Sequence, residues 1–470
     1  MPFILGTNSI KDTGYNVANS LRFNSASSDS LDVTHSSAGN QKTFTISFWT
    51  KLSSVATARQ AFLNAGVAGS TNVANTSFEY RDNAIKFGGG NNLVLVTTQL
   101  FRDVSAWYHI VLAVDTTQGT AANRVKLYIN GTKVTSFATE SYPSQNDNYA
   151  FNDDVIHYIG SNLDGASNFH SGYFSEFVMI DGSQLAADSF GEFDSDSPTI
   201  WKPINVSGLT FGTNGFYLEF KQAGTSANSS GLGADTSGND HHFDVNNLTA
   251  VDQSTDTCTN NFCTLNPLDN FYAGSTFSDG NLTLATGADE RTPNSSTMGV
   301  STGKWYWEVK LGSNGANAGY IGIQSGQTAN DGVSAARALG YNQYDYAFNA
   351  DEQIYTNNST TSYGGDWTDG DIISVALDID NSLLYFYING SIQNSGTGVS
   401  IASPSLTRYG VYIPAVSDWK TQVLNFQFNF GSPPYAISSS NADANGHGNF
   451  EYAVPSGYFA LCSKNLAEHG

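Results

Sequence analysis

The tetrapeptide Tyr-Ile-Asn-Gly occurs twice in this chain, at 128–131 and at 387–390. Each copy closes an alternating apolar run, and each follows a longer apolar run that ends in aspartate, at Asp115 and at Asp378. Asn-Gly is the strongest short-range hairpin signal, because a tight type I′ turn needs positive φ at both central residues. The repeat therefore predicts two β-hairpins, one in each of two tandem domains of the same architectural type.

The composition favours an all-β fold. Only 13% of the 470 residues are charged, so Asn, Ser, Thr, Gly and Gln must supply most of the polar surface. Long surface helices prefer Glu, Lys, Arg and Ala instead. A chain of this length is also too long for a single core. We therefore expect two tandem antiparallel β-sandwiches.

Strand and turn signals divide the chain into five segments. Short alternating runs separated by dense turn signals cover 20–193 and 275–435, a pattern typical of β-sandwiches. Between them, 194–274 loosens into a Ser-, Gly- and Asn-rich stretch with aromatic residues, which indicates an ordered connector that packs on its neighbours. Residues 1–19 form an N-terminal segment, and 436–470 form a C-terminal tail.

The charge balance excludes one class of partner. There are 42 acidic and 20 basic residues, for a net charge of −22. Nucleic-acid binding depends on basic residues that neutralise phosphates, so we expect no nucleic-acid partner. No stretch approaches the roughly 20 apolar residues of a transmembrane helix, so we expect no membrane insertion. The acidity reflects either solubility or carboxylates that bind Ca²⁺.

The N-terminus and the cysteines bear on the compartment. The first basic residue is Lys11, and the apolar run before it is short, so we expect no signal peptide and synthesis in a host cytoplasm. Cys258 and Cys263 could close a small loop, but the second Cys or His pair of a zinc site is missing. Unpaired thiols are the simpler interpretation for these two and for Cys462.

The second half resembles a SPRY domain over 275–435. The motifs that carry the resemblance are, in chain order, Gly-Lys-Trp-Tyr-Trp-Glu-Val at 303–309, Tyr-Ile-Gly-Ile at 320–323, Ala-Leu-Gly-Tyr at 338–341, Tyr-Ala-Phe at 346–348, Trp-Thr-Asp-Gly-Asp-Ile-Ile at 367–373 and Phe-Tyr-Ile-Asn-Gly at 386–390. The segment from Trp367 to Gly390 is the part most diagnostic of a SPRY domain.

The first half resembles the LamG-like branch of the concanavalin A-like lectin/glucanase sandwiches over 20–185. Its motifs are Phe-Thr-Ile-Ser-Phe-Trp at 44–49, Trp-Tyr-His-Ile-Val at 107–111, Leu-Tyr-Ile-Asn-Gly at 127–131 and Gly-Tyr-Phe-Ser-Glu-Phe at 172–177. Both resemblances imply jelly-roll sandwiches that recognise glycans or protein surfaces. The whole arrangement resembles virion-associated LamG/SPRY proteins of tailed bacteriophages.

Several loop residues are candidates for ligand contact. Sugars stack on exposed aromatic faces and bond to amides. Trp419 lies in a polar loop near the place where SPRY domains bind their partners. Tyr355 and Tyr363, with Asn357 and Asn358, flank another such loop. Each of these residues either contacts a ligand or anchors its loop, and the sequence leaves both interpretations open.

The resemblance to LamG-like domains also implies a possible Ca²⁺ site at a sandwich rim. Asp153 and Asp154 precede a predicted strand and Asp164 follows it, which makes these three carboxylates the candidate ligands. The alternative is that they are solvated loop acids.

The sequence carries no convincing pattern of catalytic groups. The string nearest to a glucanase carboxylate motif is Glu192-Phe193-Asp194-Ser195-Asp196, but its spacing is wrong and Pro198 indicates a loop. We interpret Glu176 and Asp181 as surface and turn residues, and His241-His242 as solvated histidines. The chain is therefore expected not to be an enzyme.

These observations predict a non-enzymatic virion structural protein, exposed on the particle as a tail fibre, spike or decoration subunit. Its partners would be other virion proteins and a host-surface glycan or protein receptor, and a homo-oligomer is expected, with a trimer favoured. One alternative is a polysaccharide depolymerase, which needs two carboxylates about 5–10 Å apart in a groove. Another is a bacterial surface adhesin.

Overall fold

A computed structural model describes residues 14–55, 58–67, 75–89, 92–163, 165–269, 274–287, 293–313, 318–326, 337–419 and 423–470. These residues divide into two compact units, 14–259 and 260–470, which we call the first and the second unit. The division falls within the segment that the sequence assigns to a connector.

The first unit consists of short strands. They are β1 (Ser20–Phe23), β2 (Ser30–Thr34), β3 (Thr43–Leu52), β4 (Gln60–Gly66), β5 (Asn75–Arg81), β6 (Ala84–Gly89), β7 (Asn92–Thr97), β8 (Trp107–Asp115), β9 (Val125–Ile129), β10 (Thr132–Lys133), β11 (Phe137–Glu140), β12 (Ile156–Ile159), β13 (Gly172–Asp181), β14 (Gly191–Phe193), β15 (Trp201–Pro203), β16 (Phe216–Leu218), β17 (Asp244–Asn246) and β18 (Gln253–Ser254).

The second unit adds further strands and a short C-terminal helix. They are β19 (Thr276–Ser278), β20 (Thr283–Ala285), β21 (Asn294–Ser295), β22 (Lys304–Leu311), β23 (Tyr320–Gln324), β24 (Tyr346–Asn349), β25 (Gln353–Thr356), β26 (Ser359–Ser362), β27 (Ile372–Asp378), β28 (Leu383–Ile388), β29 (Ser391–Ile392), β30 (Val399–Ser400), β31 (Ile413–Ser417), β32 (Asn425–Asn429), β33 (Phe459–Ala460) and α1 (Ser463–His469). In the described part of the chain, no helix is long and apolar enough to cross a membrane.

Two large antiparallel sheets build the described part of the first unit. One has the order β10-β9-β8-β3-β13-β1-β18, with β16 beside β13, and the other has the order β11-β7-β6-β5-β4-β12-β2-β17. Phenylalanines from both sheets meet in the core, where Phe48 on β3 stacks on Phe177 and contacts Phe62 and Phe78. Each such buried ring contributes roughly 1.5–3 kcal/mol.

The described residues of the second unit likewise form two sheets. The larger has the order β19-β20-β32-β22-β27-β28-β29, with β30 beside β28 and β33 parallel to β22. The smaller has the order β21-β31-β23-β24-β25-β26. The core of the second unit contains the buried rings of Trp305, Trp307, Trp367, Phe386 and Phe428. The prediction of an all-β chain with two tandem sandwiches is therefore confirmed.

Both predicted hairpins are present, and both turns have the predicted conformation. Asn130 and Gly131 have φ of 46° and 76°, and Asn389 and Gly390 have φ of 47° and 76°. The first turn joins β9 to β10 and the second joins β28 to β29. Asn and Gly tolerate this left-handed backbone better than other residues do.

In each hairpin the turn asparagine also bonds to the neighbouring strand. The Asn130 side-chain oxygen accepts a hydrogen bond from the His109 backbone N–H on β8 at 2.8 Å. The Asn389 side-chain oxygen accepts one from the Ile372 backbone N–H on β27 at 3.0 Å. The shared tetrapeptide therefore forms the same tertiary contact in both units.

The connector residues up to 259 pack on the first unit. Strands β16, β17 and β18 pair with β13, β2 and β1 respectively. The Trp201 ring lies against the turn glycine Gly131, where a β-carbon would collide with it. Lys51 on β3 and Asp256, each 1% exposed, form an ion pair at 2.8 Å. These contacts give the connector an ordered structure.

The C-terminal tail packs on the second unit in a similar way. Glu308 on β22 accepts hydrogen bonds from the backbone N–H groups of Glu451 at 3.0 Å and Tyr452 at 2.8 Å. The Tyr452 ring lies against the turn glycine Gly390. Because Glu308 is fully buried, these donors replace the water that an exposed carboxylate would bind.

Candidate functional site

The smaller sheet of the second unit carries a cluster of aromatic rings. Tyr320 on β23 and Tyr355 on β25 are buried, and Trp419, just after β31, is 38% exposed. The Trp419 ring centroid lies 6.0 Å from that of Tyr320 and 6.2 Å from that of Tyr355, and the two tyrosine rings are 5.6 Å apart. We call these three residues, with Asn358, the Trp419 patch.

Small residues on the sheet make room for these rings. Ala347 on β24 and Ala415 on β31 are fully buried in the same hydrophobic cluster as Tyr320 and Tyr355. On a strand, alternate residues share a face, so Ala347 and Ala415 provide a low surface beside the larger rings. The tyrosines are thereby packed from below, and Trp419 is left as the exposed member.

Asn358 belongs to the patch through the turn between β25 and β26. Asn357 and Asn358 have φ of 49° and 56°, as a two-residue type I′ turn requires. The Tyr355 hydroxyl donates a hydrogen bond to the Asn358 side-chain oxygen at 2.8 Å. Asn357 is tied to the Asn342 backbone oxygen through its own N–H at 3.1 Å. The turn is thus fixed on the sheet that carries the rings.

Tyr363 lies apart from this group. It is 8% exposed, and its ring packs against Phe348 at 5.6 Å and Phe386 at 5.8 Å in the core. The structure therefore brings Tyr355, Asn358 and Trp419 together and places Tyr363 among core residues, where it anchors its loop.

Sequence reasoning missed two neighbours of the patch. Tyr320 belongs to the motif at 320–323 that carries the SPRY resemblance, but the face of the sheet that it occupies depends on the pairing of β23. Tyr341 packs against the cluster, and the Arg337 guanidinium lies 4.6 Å from the centre of its ring, a cation–π contact. The alternation of Tyr320-Ile321-Gly322-Ile323 was a usable signal for the first of these residues.

The chemistry of the Trp419 patch is that of a binding surface. Burial raises the pKa of the Tyr355 hydroxyl, so this group stays protonated at neutral pH. The patch offers the exposed indole face of Trp419 and the exposed side-chain amide of Asn358, which can stack on a ligand and hydrogen-bond to it.

The candidate Ca²⁺ ligands have the following places. One oxygen of Asp153 accepts hydrogen bonds from the Gln41 side-chain amide at 2.7 Å and the Asp154 N–H at 3.0 Å. Asp153 is partly exposed, Asp154 is exposed, and Asp164 lies outside the described residues. Among the described residues, no group of three His, Cys, Asp or Glu side chains is arranged to hold a metal ion. Calcium binding stays a prediction.

Two acids that we interpreted as surface or turn residues are buried, so that interpretation is wrong. Glu176 is 7% exposed in a bulge of β13 and accepts hydrogen bonds from the hydroxyls of Tyr217 and Tyr15. Burial raises the pKa of Glu176 to about 7. Asp181 is 8% exposed. Segments distant in sequence cover both side chains, which strand periodicity could not reveal.

His241 and His242, which we interpreted as solvated histidines, are both partly exposed and also contact other residues. The His241 ring lies 4.6 Å from that of His35, and its Nε2–H donates to the Thr213 carbonyl at 2.9 Å. His242 Nδ1 accepts a hydrogen bond from the Asp235 N–H at 3.0 Å. In the folded connector, the His241 ring therefore contacts His35, and the His242 ring is bonded to the backbone of Asp235.

The cysteines and the glucanase-like string have structural roles. Cys258, Cys263 and Cys462 are unpaired, as expected, and burial raises the pKa of the Cys462 thiol to about 12. Lys202 pairs with both Glu192 at 3.4 Å and Asp194 at 3.2 Å. These two carboxylates are therefore engaged with a cation.

Comparisons with known proteins identify two domains. Residues 25–187 match the model of the concanavalin A-like lectin/glucanases superfamily, and residues 304–433 match that of the SPRY domain. An E3 ubiquitin-protein ligase, RKP, of Arabidopsis thaliana is 31% identical over 28% of the chain and 10% of its own length. An ATP-dependent RNA helicase, DDX1, of Xenopus laevis is 27% identical over 36% of the chain and 21% of its own length.

The chain thus spans only a tenth to a fifth of these relatives, so their activities are not transferred to it. Among solved structures, the SPRY domain of human HERC1 has a TM-score of 0.26 at 17% identity, covering 35% of this chain and 96% of that one. Stonustoxin has a TM-score of 0.28 at 19% identity, covering 36% of this chain and 27% of that one. Scores this low carry no inference about the site.

Proposed function

We propose that this chain, which carries a concanavalin A-like LamG domain followed by a SPRY domain, is a non-enzymatic recognition protein. Its ligand would bind at the Trp419 patch of the SPRY domain. The observation that carries the proposal is an indole left 38% exposed while two buried tyrosines hold it in place. Tryptophan is enriched among the residues that dominate binding energy.

The packing of the patch supports a role in binding. Holding a side chain in one rotamer before the ligand arrives reduces the entropy lost on association. Trp419 contacts both tyrosine rings, and Tyr355 is fixed in turn by its hydrogen bond to Asn358. The exposed ring is therefore prepared to stack on a sugar face or an apolar side chain.

The setting that we propose is the surface of a tailed-phage particle, as a tail fibre, spike or decoration subunit. The ligand would be a host-surface glycan, a host receptor protein or a neighbouring virion protein. Support comes from the order of the LamG-like and SPRY motifs. A symmetric homo-oligomer, a trimer first, would multiply a weak contact into useful avidity.

Trp419→Ala tests the binding role. Purified wild-type and variant proteins would be compared for binding to a glycan array, to host cells and to isolated virion subunits. Loss of one dominant aromatic contact is expected to weaken binding by about 30-fold, or roughly 2 kcal/mol. Tyr409→Ala is the matched control, because Tyr409 is 37% exposed and lies in another loop of the same unit. Equal affinity of Trp419→Ala and wild type would refute the proposed site.

The virion setting needs a separate test. Antibodies against the purified chain should decorate intact particles of a phage that encodes it, and light scattering should report a trimer. If the particles do not contain the protein, the virion setting is refuted and the proposed binding role is unaffected.

Calcium binding is tested with the same purified protein. The double substitution Asp153→Asn with Asp154→Asn should abolish any rise in melting temperature that added Ca²⁺ produces.

A further inference from the structure

Strand β26 lies at one edge of the smaller sheet of the second unit. Its four residues, Ser-Thr-Thr-Ser at 359–362, are all exposed, and among the described strands it pairs with β25 alone. An edge strand presents a row of backbone N–H and C=O groups that can pair with another chain. The backbone of β26 can therefore accept a further strand.

The hairpin geometry decides which backbone groups of β26 point outward. In a two-residue hairpin the residues that flank the turn exchange hydrogen bonds, and bonded and non-bonded pairs alternate along the strands. The Tyr363 N–H donates to the Glu352 oxygen at 2.9 Å, as this alternation requires. Thr360 and Ser362 therefore direct their N–H and C=O groups away from β25. In the described part of the chain, neither residue has a backbone hydrogen bond outside the β25–β26 pair.

Other edge strands of this protein carry features that oppose pairing. In the first unit, the edge strands β10, β11 and β17 contain Lys133, Glu140 and Asp244, and the pairing of β11 also shifts in register. Charged side chains and irregular pairing protect an edge from the addition of another strand. Strand β26 has no charge and no register shift, and its threonines favour extended backbone. This edge is therefore left open to pairing.

The outward groups of β26 are self-complementary in an antiparallel pair. When Thr361 of one copy lies opposite Thr361 of a second copy, Thr360 of each copy lies opposite Ser362 of the other. Both of these pairs exchange two hydrogen bonds, so the two strands share four. A register centred on Thr360 would give two within the strand. The register centred on Thr361 is therefore the favoured one.

The charge around β26 supports a second copy as the occupant of this edge. Asp351 and Glu352 are exposed beside the Ser362 end of the strand, whereas the Asn357-Asn358 turn at its other end is uncharged. An antiparallel pair places the acidic end of one copy against the uncharged end of the other. The like charges are thereby kept apart, which matters for a chain of net charge −22.

We propose that β26 pairs with β26 of a second copy of this chain, antiparallel about a two-fold axis at Thr361. The proposal rests on the self-association included in the proposed function, and it gives that association a surface and a symmetry. A two-fold contact closes as a pair of copies, so it is separate from any three-fold contact.

The pairing has a consequence for recognition. Because the axis is perpendicular to the sheet, the two smaller sheets join edge to edge and present the same face on the same side. Tyr355 of the Trp419 patch lies directly opposite Thr360 in the β25–β26 pair. Both patches of the pair would therefore face one side and bind a single surface together, which raises avidity without any new contact to the ligand.

The test is sedimentation equilibrium of the full chain from about 10 to 500 µM, because so small a contact is expected to have a dissociation constant of about 100 µM. Thr361→Lys and Thr361→Glu each place like charges directly opposite one another across the axis. An equal mixture of the two variants places opposite charges there instead. Thr132→Lys and Thr132→Glu are the matched controls, because Thr132 is an exposed threonine on the edge strand β10.

We expect the wild type to self-associate, each Thr361 variant alone to do so at least tenfold more weakly, and their mixture to recover the wild-type affinity. Recovery in the mixture also shows that both variants are folded. The Thr132 variants and Trp419→Ala should self-associate like the wild type, so a failure of ligand binding at the patch is distinguishable from a failure of this contact.

Three results would overturn the proposal. They are a wild type that is monomeric at every concentration, self-association that is unchanged in both Thr361 variants, and a mixture that associates no more strongly than either variant alone. A wild-type trimer that both Thr361 variants retain at full strength belongs to the second case, and it would leave the trimer intact while removing β26 as a contact.

Discussion

Lowering the pH from 7 to 5 is expected to destabilise the first unit far more than the second. Six of the eight histidines of the chain belong to the first unit, and four of them are at most 3% exposed. Burial lowers the pKa of His35, His109 and His170 from 6.5 to about 3, and that of His157 to about 4. The folded unit therefore keeps these rings neutral at pH 5.

The direction of this change in stability follows from the lowered pKa values of the four histidines. Above pH 6.5 neither state binds protons at these rings, so the stability is fully present. As the pH falls from 6.5 towards 3–4, the unfolded chain binds protons that the folded chain cannot, and stability is lost. A solution at pH 5 is about 1.5 units below the pKa of a histidine in the unfolded chain. Each of the four rings therefore lowers the free energy of unfolding by about 2 kcal/mol.

Four such rings together cost about 8 kcal/mol at pH 5. Glu176 acts in the opposite direction, because burial raises its pKa to about 7. Its protonation on acidification returns about 2 kcal/mol. The net loss of about 6 kcal/mol is comparable to the whole stability of a typical domain, roughly 5–15 kcal/mol. The first unit should therefore unfold first as the pH falls.

His170→Gln measures the contribution of one ring. Among the described residues, neither ring nitrogen of His170 has a hydrogen-bond partner, and the ring stacks on Phe174 at 4.3 Å. Urea denaturation at pH 7 and pH 5 gives the loss of unfolding free energy between the two conditions. That loss should be about 2 kcal/mol smaller in His170→Gln, whatever its stability at pH 7. An identical pH dependence in His170→Gln and wild type would refute the reasoning.

Three further predictions concern stability and follow from single contacts. Gly131→Ala should lower the free energy of unfolding, measured by thermal denaturation, by about 3 kcal/mol, because residue 131 has positive φ and the new β-carbon collides with Trp201. Gly119→Ala is the control, and because Gly119 has open space around it, that variant should change the free energy of unfolding by no more than about 0.5 kcal/mol. Lys51→Met should cost about 3–5 kcal/mol by leaving the buried Asp256 carboxylate without its cation, and adding Asp256→Asn should recover part of that loss. Glu308→Ala should accelerate proteolysis of the C-terminal tail at least tenfold, because the backbone N–H groups of two tail residues lose their acceptor. Cleavage at the wild-type rate would contradict this.

Local backbone preference and alternation allowed much of the fold to be predicted from the sequence. The Asn-Gly pairs at 130–131 and 389–390 need positive φ wherever they occur in a tight hairpin, so their turns were readable without any tertiary information. The strands that end at Asp115 and Asp378 were recognisable for the same kind of reason, since a half-buried strand repeats every two residues. Their order along the chain predicted two sandwiches.

The chain itself also specified part of the Trp419 patch. A tryptophan in a polar loop and a pair of asparagines in a turn were visible as Trp419 and Asn357-Asn358. The sequence did not reveal that Tyr320 lies beside them, or that Tyr363 faces the core. Those positions depend on which face of the smaller sheet each residue occupies, and strand pairing alone decides this.

Only the tertiary structure decided which polar residues are buried. Glu176 and Asp181 have sequence surroundings typical of exposed turns, yet each is covered by a segment distant along the chain. Burial of a polar group is set by what packs over it, and the connector residues that pack there have no regular periodicity to predict their path. The Asp181 carboxylate is an example: it accepts hydrogen bonds from the backbone N–H groups of Asn40 and Asn214, which lie in loops distant from it in sequence.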